Sequence, residues 1–143
     1  MRLFVSEYIC SGALLDGELP RSLLREGRAM RDALLSDLAA LPNVAVVTTC
    51  DPRVPPPPVG EVREVGTAGE ELAAFRRLSR ECDAAYVIAP ELDGILTLRC
   101  DIIARSSPRP LNAAVEAVEL CGDKFTLAER LRKADVPTIP TRL

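Results

Sequence analysis

The chain has 143 residues and a net charge of −3, from 18 basic and 21 acidic side chains. One domain is the natural expectation at this length, and a 48% share of hydrophobic residues excludes a disordered chain. The mild acidic balance gives no electrostatic footprint for DNA or RNA. The sequence holds no histidine, which excludes a Ser-His-Asp triad, a Cys-His dyad and a His-bearing zinc site.

Arg2 to Tyr8 (RLFVSEY) reads as a first strand, followed by a polar, Gly-bearing loop through Gly17. From Ser22 the apolar positions Leu23, Leu24, Gly27, Met30, Leu34, Leu38 and Leu41 recur at helical spacing, and Pro42-Asn43 ends that helix. Val44 to Thr49 (VAVVTT) is a continuous β-branched run, the pattern of a parallel strand buried on both faces. Asp51 to Gly60 holds Pro52 and the run Pro55 to Pro58, so it reads as an exposed, stiff connector. Glu61 to Val65 is a weak third strand, and Thr67-x-x-Glu70 has the pattern of a capping box. Leu72, Phe75, Leu78 and Cys82 mark the buried stripe of the helix it opens.

Ala84 to Ala89 (AAYVIA) is a further buried strand, stopped by Pro90. Asp93 is expected to cap a helix whose apolar side is Ile95, Leu98, Ile102 and Ile103. Leu111-Asn112 reads as a very short strand, Ala113 to Cys121 as a helix ended by Gly122, and Asp123 as the cap of a last helix through Ala134. Phe125, Ala128 and Leu131 face inward on it, and Val136 to Thr141 (VPTIPT) is held extended by its prolines. The fold class is therefore α/β: a Rossmann-like parallel sheet with helices on both faces.

The five cysteines, Cys10, Cys50, Cys82, Cys100 and Cys121, show no CxxC spacing and read as small buried hydrophobes. A reducing cytoplasm is the expected compartment. No apolar run approaches the roughly 20 residues that span a bilayer, so no membrane partner is expected. The basic clusters Arg76, Arg77, Arg80 and Arg130, Arg132, Lys133 lie on helices among acids and read as solvated faces. Homo-oligomerisation is left open.

Ligands of an open parallel sheet sit beyond the carboxyl ends of its strands. Two loops there are chemically rich: Ser6 to Gly12 (SEYICSG) and Ala89 to Gly94 (APELDG). Glu7 and Glu91 read equally well as solvated acids or as groups that bind an ammonium or amine or coordinate a polar substrate, and Asp93 reads first as a helix cap. No GxGxxG and no GxxxxGK[ST] occurs, so neither a dinucleotide fingerprint nor a P-loop is present.

The segments MRLFVSEYICSGAL, continuing into SLLREGRAMRDALL, together with IAPELDGIL and AAVEAVELCGDKFTLAERLRKADVPTIPT, resemble the N-terminal part of ATP-grasp carboxylate–amine ligases. The nearest branch is the one related to tyramine–glutamate ligase. Asp-Lys, a helix, then Val-Pro-Thr-x-Pro-Thr resembles the joint between the first and central domains of ATP-grasp enzymes, including biotin carboxylase. The resemblance implies a pre-ATP-grasp domain over residues 1–122 and the start of an ATP-grasp module over 123–143.

It further implies a substrate-side domain of a ligase that activates a carboxylate as an acyl phosphate and joins it to an amine. ATP and Mg2+ would be the cofactors, and the chain's own ATP-grasp module its partner. Catalytic residues and magnesium ligands are expected beyond Leu143, and the 143-residue chain alone is expected to be inactive.

Lys124 matches the lysine that reaches ATP phosphates, at a helix start whose positive end would add to its ammonium. Glu7 matches a substrate-binding glutamate after the first strand of D-alanine–D-alanine ligase. Ser11, Gly12, Glu91 and Asp93 complete the substrate-binding set. Asp135 in place of a common Gly, and Asn112-Ala113 in place of a Pro-Ser turn, depart from the pattern. The competing reading is a free-standing, non-catalytic flavodoxin-like or receiver-like module that binds a nucleotide or a partner. Such a module is expected to end on a packed helix rather than on VPTIPTRL.

Overall fold

A computed structural model describes residues 1–142; Leu143 lies outside the described residues. Four strands form one parallel sheet: β1 (Arg2–Glu7), β2 (Ala45–Cys50), β3 (Glu61–Glu64) and β4 (Ala84–Ile88), in the order β3-β2-β1-β4. Strand β1 is central, pairing Leu3 with Val46 on one side and with Ala84 on the other.

Period-two alternation along the strands splits the core into two layers. Leu3, Val5 and Val46 face α1 (Arg21–Ala39), through Leu35. Phe4, Val47, Ala85 and Val87 face α2 (Ala68–Glu81) and α3 (Ile95–Ser106). Phe4 meets Phe75 edge-on, with ring centroids 5.4 Å apart. Helix α4 (Val115–Gly122) packs on α3, and α5 (Lys124–Lys133) packs on α4. No helix among the described residues is long and apolar enough to cross a membrane.

Parallel neighbours normally need a helical crossover, yet β2 reaches β3 through Asp51–Gly60 alone. The prolines explain the economy, because an extended Pro-rich chain covers about 3.1 Å per residue. Val54 and Val59 of this segment pack inward, so the connector is part of the core and not only an exposed spacer.

Several local expectations change. Met30 and Leu98 are 47% and 59% exposed, whereas Gly27, Arg31 and Leu35 line the inner face of α1, and Arg99, Cys100 and Ile103 that of α3. Hydrophobicity alone misjudged the phase because charged side chains are buried here. Asp93 does not cap α3: it lies at φ +50° beside Gly94 at φ +69°, two left-handed residues that turn the chain so that the helix starts at Ile95 without a side-chain cap. The Thr67 hydroxyl accepts from the Glu70 N–H, but Glu70 reaches back to the N–H of Gly66, one residue before the cap. Four cysteines are buried as expected, and Cys121 is exposed.

The short strand expected at Leu111-Asn112 is reduced to a single bridge between Ala85 and Pro110. Beyond it the Asn112 amide takes over: its Oδ1 accepts from the Val87 N–H and its Nδ2 donates to the Val87 carbonyl, both at 2.9 Å. A side chain thus continues the ladder that the backbone cannot.

Helices α2 and α3 are locked by a buried ion pair. Arg99 donates NH1 and NH2 to the Glu71 oxygens at 3.1 and 2.7 Å, and its guanidinium lies over the rings of Phe75 and Tyr8, 4.6 and 5.2 Å from their centroids. Removing one partner of such a pair strands a buried charge, at about 3–5 kcal/mol. Glu71→Ala is therefore expected to lose about that much stability in urea unfolding, and Glu71→Leu combined with Arg99→Met to recover most of it. A loss below about 1 kcal/mol for Glu71→Ala, in the range of an exposed pair, would contradict this.

Candidate functional site

Strand β1 ends at Glu7, and the chain beyond it folds back on the Glu7 carboxylate. Oε1 accepts from the Ile9 N–H at 3.2 Å and Oε2 from the Cys10 N–H at 2.8 Å. The side chain is only 2% exposed. It is seated against Gly27 of α1, where a Cβ would fall 2.6–2.8 Å from the carboxylate atoms. Of the two readings open from sequence, the solvated one is ruled out.

Glu7 takes part in none of the ion pairs among the described residues. Burial, and secondly the hydrogen bond to Glu7, push the Cys10 thiol well above its ordinary range, which keeps that sulfur an inert neighbour.

Two adjoining hollows open at this carboxyl edge. A pocket of about 130 Å3 is lined by Glu7, Ile9, Leu23, Glu26, Met30, Ile88, Ala89 and Pro90. A mainly apolar cleft of about 300 Å3 is lined by Tyr8, Ile9, Leu14, Glu18, Pro20, Leu23, Pro90, Leu92 and Ile95. Ile9, Leu23 and Pro90 are common to both, so the hollows share a wall. Leu23 and Met30, expected in the core, are walls of this site instead. Glu18 and Glu26 do not stand out in the sequence; the only available signal is that Glu26 shares a helical face with Leu23 and Met30.

The remaining expected site residues lie elsewhere. Ser11 is fully buried, its hydroxyl donating to the Tyr8 carbonyl and accepting from the Ala13 N–H. Gly12 sits at φ +101°, and a Cβ there would overlap Val65. Both shape the β1–α1 loop and line neither hollow. Glu91 is exposed, with its carboxylate 3.2 Å from where a Cβ on Gly122 would stand. It therefore borders the α4–α5 joint, on the sheet face opposite Glu7. Asp93 is exposed on the left-handed turn.

Lys124 is exposed at the first residue of α5 and makes no ion pair among the described residues. Asp123 does not pair with it. Its Oδ1 accepts from the N–H groups of Phe125 and Thr126, and its Oδ2 from the Thr126 hydroxyl. Those bonds, the Thr126 hydroxyl first, hold the Asp123 carboxyl below its ordinary pKa. The N–H groups of Phe125 and Thr126 at this helix end are thus already taken by Asp123.

The loop that forms the cleft wall is tied down by a residue that carries no signal in the sequence. Asp51, fully buried just past the end of β2, accepts from the backbone N–H, Nε and NH2 of Arg53. Burial works against its charge, but these bonds prevail and its carboxyl lies below the ordinary value.

No curated protein matches the chain. A solved structure of a protein assigned to the ATP-grasp superfamily, from Archaeoglobus fulgidus, superposes with a TM-score of 0.71 at 19% identity. The match covers 93% of this chain and 40% of that one, so the chain spans well under half of that protein. It supports the fold. The family described as the pre ATP-grasp 3 domain matches residues 44–118, which run from β2 into the first half of α4 and take in three of the four strands. The chain belongs to the pre ATP-grasp 3 domain family.

Proposed function

We propose that this domain is the substrate side of an ATP-dependent carboxylate–amine ligase, and that its carboxyl-edge cleft receives the amine. One observation carries the reading: Glu7 is a buried carboxylate that makes no ion pair among the described residues, and it lines a hollow whose other walls, Glu26 apart, are apolar. A buried charge is normally paired. Two of the roughly four lone-pair positions of a carboxylate are used by Ile9 and Cys10. The Cys10 thiol also bonds to Glu7, and a lone-pair position that remains would accept from a ligand ammonium, with Glu26 and Glu18 adding negative charge at the rim and the apolar wall taking a hydrocarbon or aromatic body.

This chemistry fits the branch related to tyramine–glutamate ligase, since tyramine joins an ammonium to an aromatic ring. Family membership favours it over a free-standing flavodoxin-like or receiver-like module.

ATP with magnesium would supply the phosphoryl group that activates the carboxylate. Among the described residues Lys124 is the group suited to a polyphosphate, and Glu91 borders the same joint. Magnesium ligands are expected beyond Leu143. On this reading residues 1–122 are the substrate domain and the joint at Asp123 opens the nucleotide module.

Three measurements test the proposal. Tyramine, titrated calorimetrically into the protein, is expected to bind at least about tenfold tighter than its neutral isostere tyrosol, equivalent to about 1.4 kcal/mol. Glu7→Gln is expected to erase that ratio; equal affinities in the wild type would refute the amine reading.

Gly27→Ala should drive a methyl group into the Glu7 carboxylate. Ala for Gly in a helix normally stabilises by about 0.5–1 kcal/mol, whereas here a loss of about 1–3 kcal/mol, the range for overpacking, is expected in urea unfolding, together with weaker tyramine binding. Lys124→Met in the full-length protein should raise the KM for ATP about tenfold or more and leave the melting temperature of residues 1–143 within about 2 °C, as an exposed, unpaired side chain implies. Unchanged ATP kinetics would remove the assignment.

A further inference from the structure

We infer that Arg53 is a positioning residue for the cleft, a strap that fixes the β1–α1 loop as its outer wall; the inference rests on the amine-cleft reading above. The strap begins with the local sequence Asp51-Pro52-Arg53-Val54. The Val54 N–H donates to the Asp51 carbonyl at 2.9 Å, closing a four-residue turn with Pro52 at its second position, where a fixed φ suits the turn. The Asp51 carboxylate accepts from the Arg53 N–H at 2.8 Å, an Asx-type closure. The turn folds the Arg53 side chain back over Asp51, which its Nε and NH2 hold at 3.0 and 2.8 Å.

The outer edge of the same guanidinium crosses to the other loop. NH2 donates to the Leu14 carbonyl at 2.8 Å and NH1 to the Gly17 carbonyl at 2.9 Å. Those residues are 39 and 36 positions away in sequence. Leu14 itself lines the cleft, and Gly17 precedes Glu18 and Pro20, which also line it. A second tie, from the Asp51 N–H to the Cys10 carbonyl at 2.8 Å, anchors the near end of the loop beside the Glu7 seat.

Otherwise the far part of the loop is held by its own short turns, Leu15 N–H to the Gly12 carbonyl and Gly17 N–H to the Leu14 carbonyl. The planar guanidinium fork is what reaches a carboxylate and two carbonyls at once, and a lysine ammonium cannot span the same set. The side chain is more than a third exposed, so a role in filling the core does not account for the geometry of its bonds.

The experiment compares wild-type protein with Arg53→Gln, Arg53→Lys and the double variant Asp51→Asn/Arg53→Gln. The double variant guards against misfolding, since it leaves no buried carboxylate behind at position 51. Arg63→Gln, an exposed arginine away from the cleft, is the control. Amide hydrogen exchange at Leu15 and Gly17 and calorimetric affinities for tyramine and tyrosol are read in each.

For Arg53→Gln and the double variant we expect exchange at both amides to quicken at least about tenfold, with core amides in β1 and β4 unchanged. Both affinities should fall together by at least about fivefold, keeping the tyramine-to-tyrosol ratio, because an apolar wall is lost while Glu7 stays. Arg53→Lys should recover part of the affinity. Faster exchange with unchanged affinities would make Arg53 merely structural and overturn the inference, as would no change in either. Loss of the ratio alongside the affinity would also overturn it, because the effect would then run through Glu7. Wild-type protein that does not distinguish tyramine from tyrosol would instead bring down the amine reading, and the positioning role with it.

Discussion

A carboxylate taken out of water costs several kcal/mol unless something compensates it, and the carboxyl edge of this sheet is organised around one such group. Glu7 needs backbone donors, so the chain after β1 must turn at once to offer the N–H groups of Ile9 and Cys10. It needs room, so α1 presents Gly27 where any side chain would collide with it. It needs a fixed loop beside it, which Ser11, Gly12 and the Asp51–Arg53 turn supply from three directions. The strand, the helix and the Pro-rich connector are thereby coupled through a single side chain, and a change in any of them reaches the hollow in front of it.

The same edge is divided in two by the face of the sheet. The Glu7 hollow lies on the α1 side, while Glu91 turns toward Gly122 and the α4–α5 joint on the other. Glu91 belongs to the β4–α3 loop, whose Pro90 and Leu92 wall the cleft and whose Asp93-Gly94 turn redirects the chain into α3. Beneath it, the Arg99–Glu71 pair and the Tyr8 and Phe75 rings under the Arg99 guanidinium give the loop a rigid base.

How much of this was legible depended on whether the signal was local. Strand β2 reads as a continuous β-branched run, β4 as an apolar run, and β1 is marked by its apolar stretch Leu3 to Val5, although Ser6 and Glu7 beyond it are buried as well. Thr67 and Asp123 read correctly as caps because capping is set within three residues. Met30 and Leu98 were misread because periodicity marks an apolar face without saying whether it meets the core, a cavity or solvent. Arg31, Glu71 and Arg99 were invisible as interior residues, since a charge is buried only by virtue of partners far along the chain. Glu7 was legible as a position after the first strand, but its burial depends on Gly27, and its neighbours Glu18 and Glu26 look like any other acid on a polar face. Arg53 sat inside what reads as a stiff connector, and nothing local marks the two carbonyls it grips.

The Asn112 amide has a consequence for how the sheet behaves among other copies of itself. Where β4 meets no further strand among the described residues, its backbone would present unpaired N–H and C=O groups, the template on which strands from separate molecules add. The single bridge at Pro110 and the two bonds from Asn112 occupy that margin at Ala85 and Val87. On the opposite margin β3 is short and reads Glu-Val-Arg-Glu, so charge guards it instead. The two margins of the sheet are thus occupied by a borrowed amide at one side and lined by charged side chains at the other, and on the β4 side the cover over Val87 comes from one asparagine.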